Sequence, residues 1–133
     1  MTMNEGTLSG KTVLVTGAAK RLGRAIALAA AKDGADVAIT YRESGREARV
    51  VIEELALYGV EALAVRCDVT DERSVQEMVK EVARELRGID VLVNNAGIMT
   101  LAPIAETDDA SFDRHIAVNL KGKIGRASCR ERV

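Results

Sequence analysis

The sequence predicts an α/β domain, a doubly wound parallel sheet in three layers, and two observations carry that prediction. Short apolar stretches rich in valine, isoleucine and alanine alternate with amphipathic helical stretches at regular intervals along the chain. The first of these strands also runs straight into a glycine-bearing turn and a helix, an arrangement that aims free backbone N–H groups at an anion.

In the opening segment, Val13, Leu14 and Val15 form the β-branched apolar run of a strand covered on both faces. Gly17 permits a tight turn. Leu22, Ala25, Ile26 and Ala29 then recur at helical spacing, which starts a helix near Arg21 and makes these four its apolar face. Gly23 sits in the first turn, where a side chain would hold the helix away from strand or ligand. The plainer alternative is a turn between any strand and helix, with Gly23 serving packing alone. Asp33-Gly34 stops this helix, and Val37 to Thr40 makes a second strand. Ser44 and Glu47 form a capping box ahead of a helix whose Ala48, Val51, Ile52 and Leu55 share one face before Gly59. A third strand spans Ala62 to Val65, and a third helix carries Val75, Met78, Val79, Val82 and Leu86 to a stop at Gly88. Ile89 to Val93 is a fourth strand, and from about Thr107 a fourth helix turns Phe112, Ile116 and Leu120 inward.

At 133 residues the chain holds one domain and not two. A hydrophobic share of 47% with 29% charged residues is that of an ordinary globular protein, and 2% aromatics make the core aliphatic. Residues Met1 to Lys11 show no secretory pattern, and the longest apolar run, Ala25 to Ala31, falls far short of the roughly 20 residues a membrane helix needs. The expectation is a cytoplasmic protein without membrane contact. Cys67 and Cys129 lack metal-ligand spacing and read as free thiols. His115 has polar neighbours and no second ligand, so it reads as a solvated or capping group.

Thr16-Gly17 with Gly23, Asp68-Val69, Asn94-Asn95-Ala96-Gly97 and Asn119 together resemble the successive signatures of the short-chain dehydrogenase/reductase family. The resemblance runs from about Ser9 to Gly122, and one position departs: Arg21 stands where most members carry glycine. The string Thr16-Gly-Ala-Ala-Lys-Arg-Leu-Gly23 is similar to the branch that includes pteridine reductases. The family implies a Rossmann-type sheet of strand order 3-2-1-4, here truncated, with a ligand crevice between the first and fourth strands where that order reverses.

The resemblance assigns Gly17, Lys20, Arg21, Leu22 and Gly23 to the cofactor turn. At the end of the second strand, Arg42 is suited to a 2′-phosphate and Lys20 and Arg21 add positive charge, which favours NADP(H). The alternative is NAD(H), with Glu43 reaching the ribose hydroxyls and the bases merely solvated. The family uses the Asp68 carboxylate to hold the adenine amino group and Val69 to pack its ring, although an Asp after a strand also serves as a turn former. Asn95, Ala96 and Gly97 are assigned to the cofactor as well, the amides tying neighbouring strands and the small pair admitting a ribose. A purely structural strand cap is the alternative. Asn119 takes the family's place in a proton relay, against an exposed polar residue near a helix end.

The implied reaction is hydride transfer between nicotinamide and a small carbonyl or alcohol substrate, for which the family supplies a Ser and a Tyr-x-x-x-Lys. Tyr41 is followed four residues on by Gly45 and Tyr58 by Ala62, so the 133 residues contain no such pair. The expectation is therefore an incomplete domain over residues 1–122 that binds cofactor without turnover, from a parent that is a homo-oligomer. Residues 123–133 resemble a translated sequencing-library adapter and are expected to be a non-native tail. Of 19 basic and 20 acidic residues, five bases and one acid lie from Lys121 onward, so the remainder is acidic. Were the tail natural, its charge would point to weak phosphate-backbone contact; otherwise no nucleic-acid partner is expected. Two further classes stand beside the reductase: a dinucleotide-binding module without catalysis, and a Rossmann-fold methyltransferase, which Tyr41-Arg42 fits poorly because that class wants an acid there.

Overall fold

A computed structural model describes residues 6–97, 105 and 108–121; Thr107, Cys129, the Leu120 side chain and residues 123–133 lie outside that set. The described chain runs β1 (Thr12–Val15), α1 (Arg21–Lys32), β2 (Asp36–Tyr41), α2 (Gly45–Ala56), β3 (Ala62–Arg66), α3 (Glu72–Leu86), β4 (Val91–Val93) and α4 (Asp109–Ile116), closing in a π-helical turn over Ala117–Lys121. All strand pairings are parallel, as the alternation of strands and helices predicts, and the order is β3-β2-β1-β4, as the resemblance implies.

Side-chain alternation on β1 and β2 divides the core in two. Val13, Val15, Val37 and Ile39 face Ala27, Ala30 and Ala31 of α1 and Ala48, Val51 and Leu55 of α2. Leu14 and Ala38 face the other way, onto Val75, Met78, Val82 and Leu86 of α3. The central strands are thus covered on both faces, which accounts for their unbroken apolar character. Register is pinned at the far end of the sheet. There Asp90 Oδ2 accepts the Thr12 N–H at 2.8 Å, and the Thr12 hydroxyl donates to the Leu86 carbonyl at 3.2 Å.

Several local expectations are corrected. Helix α1 buries Gly23, Ala27, Ala30 and Ala31, while Leu22 is 66% exposed and Ala25 and Ala29 face solvent. In so alanine-rich a stretch the apolar periodicity points to several faces, and the smallest residues win the sheet-facing one because they allow the closest approach. Ser44 makes no side-chain cap bond to α2; Glu47 instead lies 3.8 Å from Lys20 Nζ. Helix α3 ends at Leu86 with Arg87 in the left-handed region at φ 67°, one residue ahead of the anticipated Gly88. Phe112, anticipated to face inward, is 60% exposed, while Ile116 is half-buried and the Leu120 side chain is not among those described.

Candidate functional site

The chain leaves β1 toward β2 on one side and reaches β4 on the other, so a crevice opens beyond the carboxyl ends of these strands. A cleft of about 530 Å³ occupies that position. Gly17, Lys20, Arg21, Leu22, Gly23, Arg42, Asp68, Val69, Asn95, Ala96 and Gly97 all line it. These come from four separate turns, and each is delivered by the strand before it.

The floor of the cleft is a hydrogen-bond knot around Thr16, which is 1% exposed. Its Oγ1 accepts the Asn95 N–H at 3.0 Å and the Ala96 N–H at 3.1 Å, while the hydroxyl donates to the Val93 carbonyl at 3.4 Å. The Asn95 side chain returns the tie, its Nδ2 donating to the carbonyls of Thr16 at 3.1 Å and Gly17 at 3.0 Å. On the other flank, Gly17 N–H donates to Thr40 Oγ1 at 3.1 Å and Ala18 N–H to the Thr40 carbonyl at 3.0 Å. The turn is therefore clamped to both neighbouring strands. The Asn94 Oδ1 is buried with no hydrogen-bond partner among the described residues, which costs about 1–3 kcal/mol when no donor arrives.

The turn leaves no room for side chains where the chain folds back. Gly17 has φ 63°, and a Cβ there would stand 2.8 Å from Ala96 Cα. A Cβ on Gly23 would stand 2.4 Å from Asn95 Nδ2 and 2.7 Å from the Gly17 carbonyl oxygen. Arg21 also adopts a left-handed backbone, φ 53°, a conformation that glycine takes without strain and a residue with a Cβ does not.

Charge follows the same geometry. Helix α1 opens at Lys20 without a side-chain cap, whereas Asp71 caps α3 and Asp108 caps α4. Its first-turn N–H groups are left to meet an anion, with Lys20 and Arg21 alongside. Arg42 Nε lies 4.0 Å from Asp68 Oδ2. Burial pushes the Asp68 carboxyl up, but hydrogen bonds from the Thr70 hydroxyl at 2.6 Å and the Thr70 N–H at 3.0 Å, with the charges of Arg42 and Arg114, outweigh it and hold the group below the usual carboxylate range. A closely fitted, uncapped and basic turn next to a small-residue wall is the shape a dinucleotide pyrophosphate needs, so the residues present fit a nicotinamide dinucleotide.

Asn119 is in the π-helical turn that follows α4 and does not line the cleft; its neighbour Val118 does. The Asn119 Oδ1 comes within 3.1 Å of where a Gly97 Cβ would stand, which places the amide beside the Asn-Ala-Gly wall. His115 Nδ1 is 2.8 Å from the Ser111 carbonyl one turn earlier, a bond within its own helix. Cys67 is buried and lines the cleft. The residues that sequence reasoning passed over are Thr40, whose hydroxyl holds Gly17, and Arg114 and Val118, which reach the cleft from the last helical segment. A hydroxyl closing an otherwise apolar strand is the one signal that would have found Thr40; nothing in the sequence marks Arg114. No helix among the described residues is long and apolar enough to cross a membrane.

A family model described as short chain dehydrogenase matches residues 11–127. The 3-oxoacyl-(acyl-carrier-protein) reductase FabG of Staphylococcus epidermidis is 42% identical over 112 residues, covering 84% of this chain and 46% of that protein. The L-rhamnose 1-dehydrogenase (NAD(P)(+)) of Sphingomonas sp. is 41% identical over 115 residues, covering 86% and 45% respectively. A solved short chain dehydrogenase of Burkholderia cenocepacia in complex with NADP matches with a TM-score of 0.90 at 38% identity, over 94% of this chain and 51% of the other. The chain spans about half the length of the curated relatives it matches.

Proposed function

The chain belongs to the short-chain dehydrogenase family, and from that premise we propose that it is the cofactor-binding half of an NADP(H)-dependent oxidoreductase acting on a small carbonyl or alcohol. The observation that supports this most strongly is the convergence of three of the four sequence signatures, together with Arg42 at the end of β2, on one cleft at the point where strand order reverses. The cofactor, when bound, supplies or accepts a hydride. The chain's own residues bind and orient it. The α1 N-terminus, Lys20 and Arg21 take the pyrophosphate, Asp68 the adenine amino group, Val69 its ring, and Ala96 and Gly97 the ribose. Arg42 takes the 2′-phosphate and sets the preference for NADP(H).

Asn119 is assigned to a proton relay, held beside Gly97 by the π-helical turn; such turns occur often at functional sites. The residues that donate the proton to substrate are assigned to the remainder of the parent protein, and the 133 residues alone are read as binding without turnover. Residues 1–122 are the cofactor domain in this reading and 123–133 an appended tail, a division that the underlying nucleotide sequence decides. The parent is read as a cytoplasmic homo-oligomer with no nucleic-acid or membrane partner.

One observation favours a second cofactor. Arg42 is engaged by Asp68 and Glu43 lines the same cleft, an arrangement compatible with ribose hydroxyls and NAD(H). Calorimetric titration with NADPH and NADH separates the two: tighter NADPH binding is expected, and tighter NADH binding would overturn the preference. S-adenosylmethionine in the same series tests the methyltransferase class and is expected not to bind.

A further inference from the structure

We infer that Arg66, at the end of β3 and outside the cleft, is a positioning residue that sets the choice between the two nicotinamide cofactors by holding Arg42 in place. The inference rests on the reading of Arg42 as the 2′-phosphate contact. The main-chain ladder between β2 and β3 pairs Tyr41 with Arg66 and ends with the Cys67 N–H donating to the Tyr41 carbonyl at 2.9 Å. Beyond that point the backbone has no further rung among the described residues. The Arg66 side chain supplies one, its Nε donating to the Arg42 carbonyl at 3.0 Å.

The consequence is geometric. Thr40 is already tied to the phosphate turn through Gly17 and Ala18, so the end of β2 is fixed on the β1 side. Arg66 fixes it on the β3 side, two residues farther along, where Arg42 leaves the strand and turns its guanidinium toward Asp68. Arg42 is exposed, and the short connection to α2 contains only Arg42, Glu43 and Ser44, so this rung adds a hold on the Arg42 backbone beyond its chain neighbours. Arg66 is absent from the residues lining the cleft. Its effect therefore falls on the cofactor that Arg42 discriminates and leaves the adenine, ribose and pyrophosphate contacts as they are.

The test is titration of Arg66→Leu, Arg66→Lys and Arg42→Ala with NADPH and NADH, together with the amide 15N shift of Glu43, whose nitrogen is bonded to the Arg42 carbonyl. Loss of one hydrogen bond from a charged donor predicts that Arg66→Leu weakens NADPH binding about three- to tenfold, leaves NADH binding unchanged and moves the Glu43 shift in the free protein. Arg66→Lys is expected to recover part of the preference together with part of the shift. Equal weakening of both cofactors by Arg66→Leu, or no weakening of either, overturns the inference. Recovery of the preference by Arg66→Lys with the Glu43 shift still displaced assigns the effect to charge alone and also overturns it. If Arg42→Ala leaves the NADPH-to-NADH ratio unchanged, the Arg42 reading itself fails; if only Arg42→Ala lowers the ratio, the Arg66 inference fails alone.

Discussion

Replacing Gly23 with alanine is the sharpest single perturbation of the cofactor turn, because two opposing effects can be weighed from the structure. Gly23 has no positive φ and lies inside α1, so alanine by itself would favour the helix by about 1 kcal/mol. Its Cβ, however, would lie 2.4 Å from Asn95 Nδ2, 2.7 Å from the Gly17 oxygen and 2.8 Å from Ala18 Cα. Two of these are backbone atoms in a turn bonded to both flanking strands, so the Asn95 amide is the group that must move. Its displacement breaks the bonds to Thr16 and Gly17, each worth about 0.5–1.5 kcal/mol. Forced backbone shifts add about 1–3 kcal/mol, and after the helix gain the net loss is about 3 kcal/mol. Gly45→Ala is the internal control, because a Cβ there meets only Tyr41 Cε2 at an ordinary 3.6 Å. Urea unfolding followed by circular dichroism should show Gly23→Ala strongly destabilised and Gly45→Ala neutral or slightly stabilised. Equal stability of the two variants would refute the reasoning about the turn.

Three further outcomes are expected. Thr16→Val removes the acceptor for two backbone N–H groups and should cost about 1–3 kcal/mol, with hydrogen-exchange protection lost at Asn95 and Ala96; unchanged protection would contradict the knot. Arg21→Gly relieves a left-handed backbone and should gain about 1 kcal/mol in unfolding experiments while weakening cofactor binding; a less stable variant would show that φ 53° carries no strain. The Asp68 carboxyl lies below its ordinary value in the folded chain, so its contribution to stability is present above about pH 4 and is lost as pH falls through the lowered folded value. Thr70→Val should raise the Asp68 carboxyl toward the ordinary range in a carbon-detected NMR titration and narrow that acid window, and an unmoved titration would assign the lowering to the arginines.

The parallel alternation of strands and helices was legible because it depends on short-range periodicity, whereas the strand order, the crevice and most of its lining were legible through the resemblance to the family. Gly17 and Gly23 are required by clearances of under 3 Å, and Asn95 by carbonyls that the end of a parallel strand leaves open. What misled was periodicity where composition is degenerate. In α1, alanines surround the helix, and only the packed sheet selects Gly23, Ala27, Ala30 and Ala31 for burial. In α4, Phe112 carries an apolar side chain at helical spacing, yet a periodic face is buried only when another element covers it. The Ser44-to-Glu47 pattern failed because Ser44, at ψ 51°, stands outside the extended backbone of a capping residue, and Glu47 lies instead beside Lys20, which is remote in sequence. The hydroxyl of Thr40 and the reach of Arg66 to Arg42 are tertiary facts, set by parallel register and invisible along a single strand.

The placement of a nicotinamide dinucleotide across the carboxyl ends of β1 and β4 is tested most directly by amide NMR of the 15N-labelled chain titrated with NADPH. It predicts saturable shifts concentrated at Gly17, Gly23, Asp68, Val69, Asn95 and Gly97, with the far end of the sheet around Thr12 and Asp90 unmoved. Saturable binding whose shifts fall elsewhere, or a folded spectrum that NADPH and NADH both leave unchanged, would contradict it.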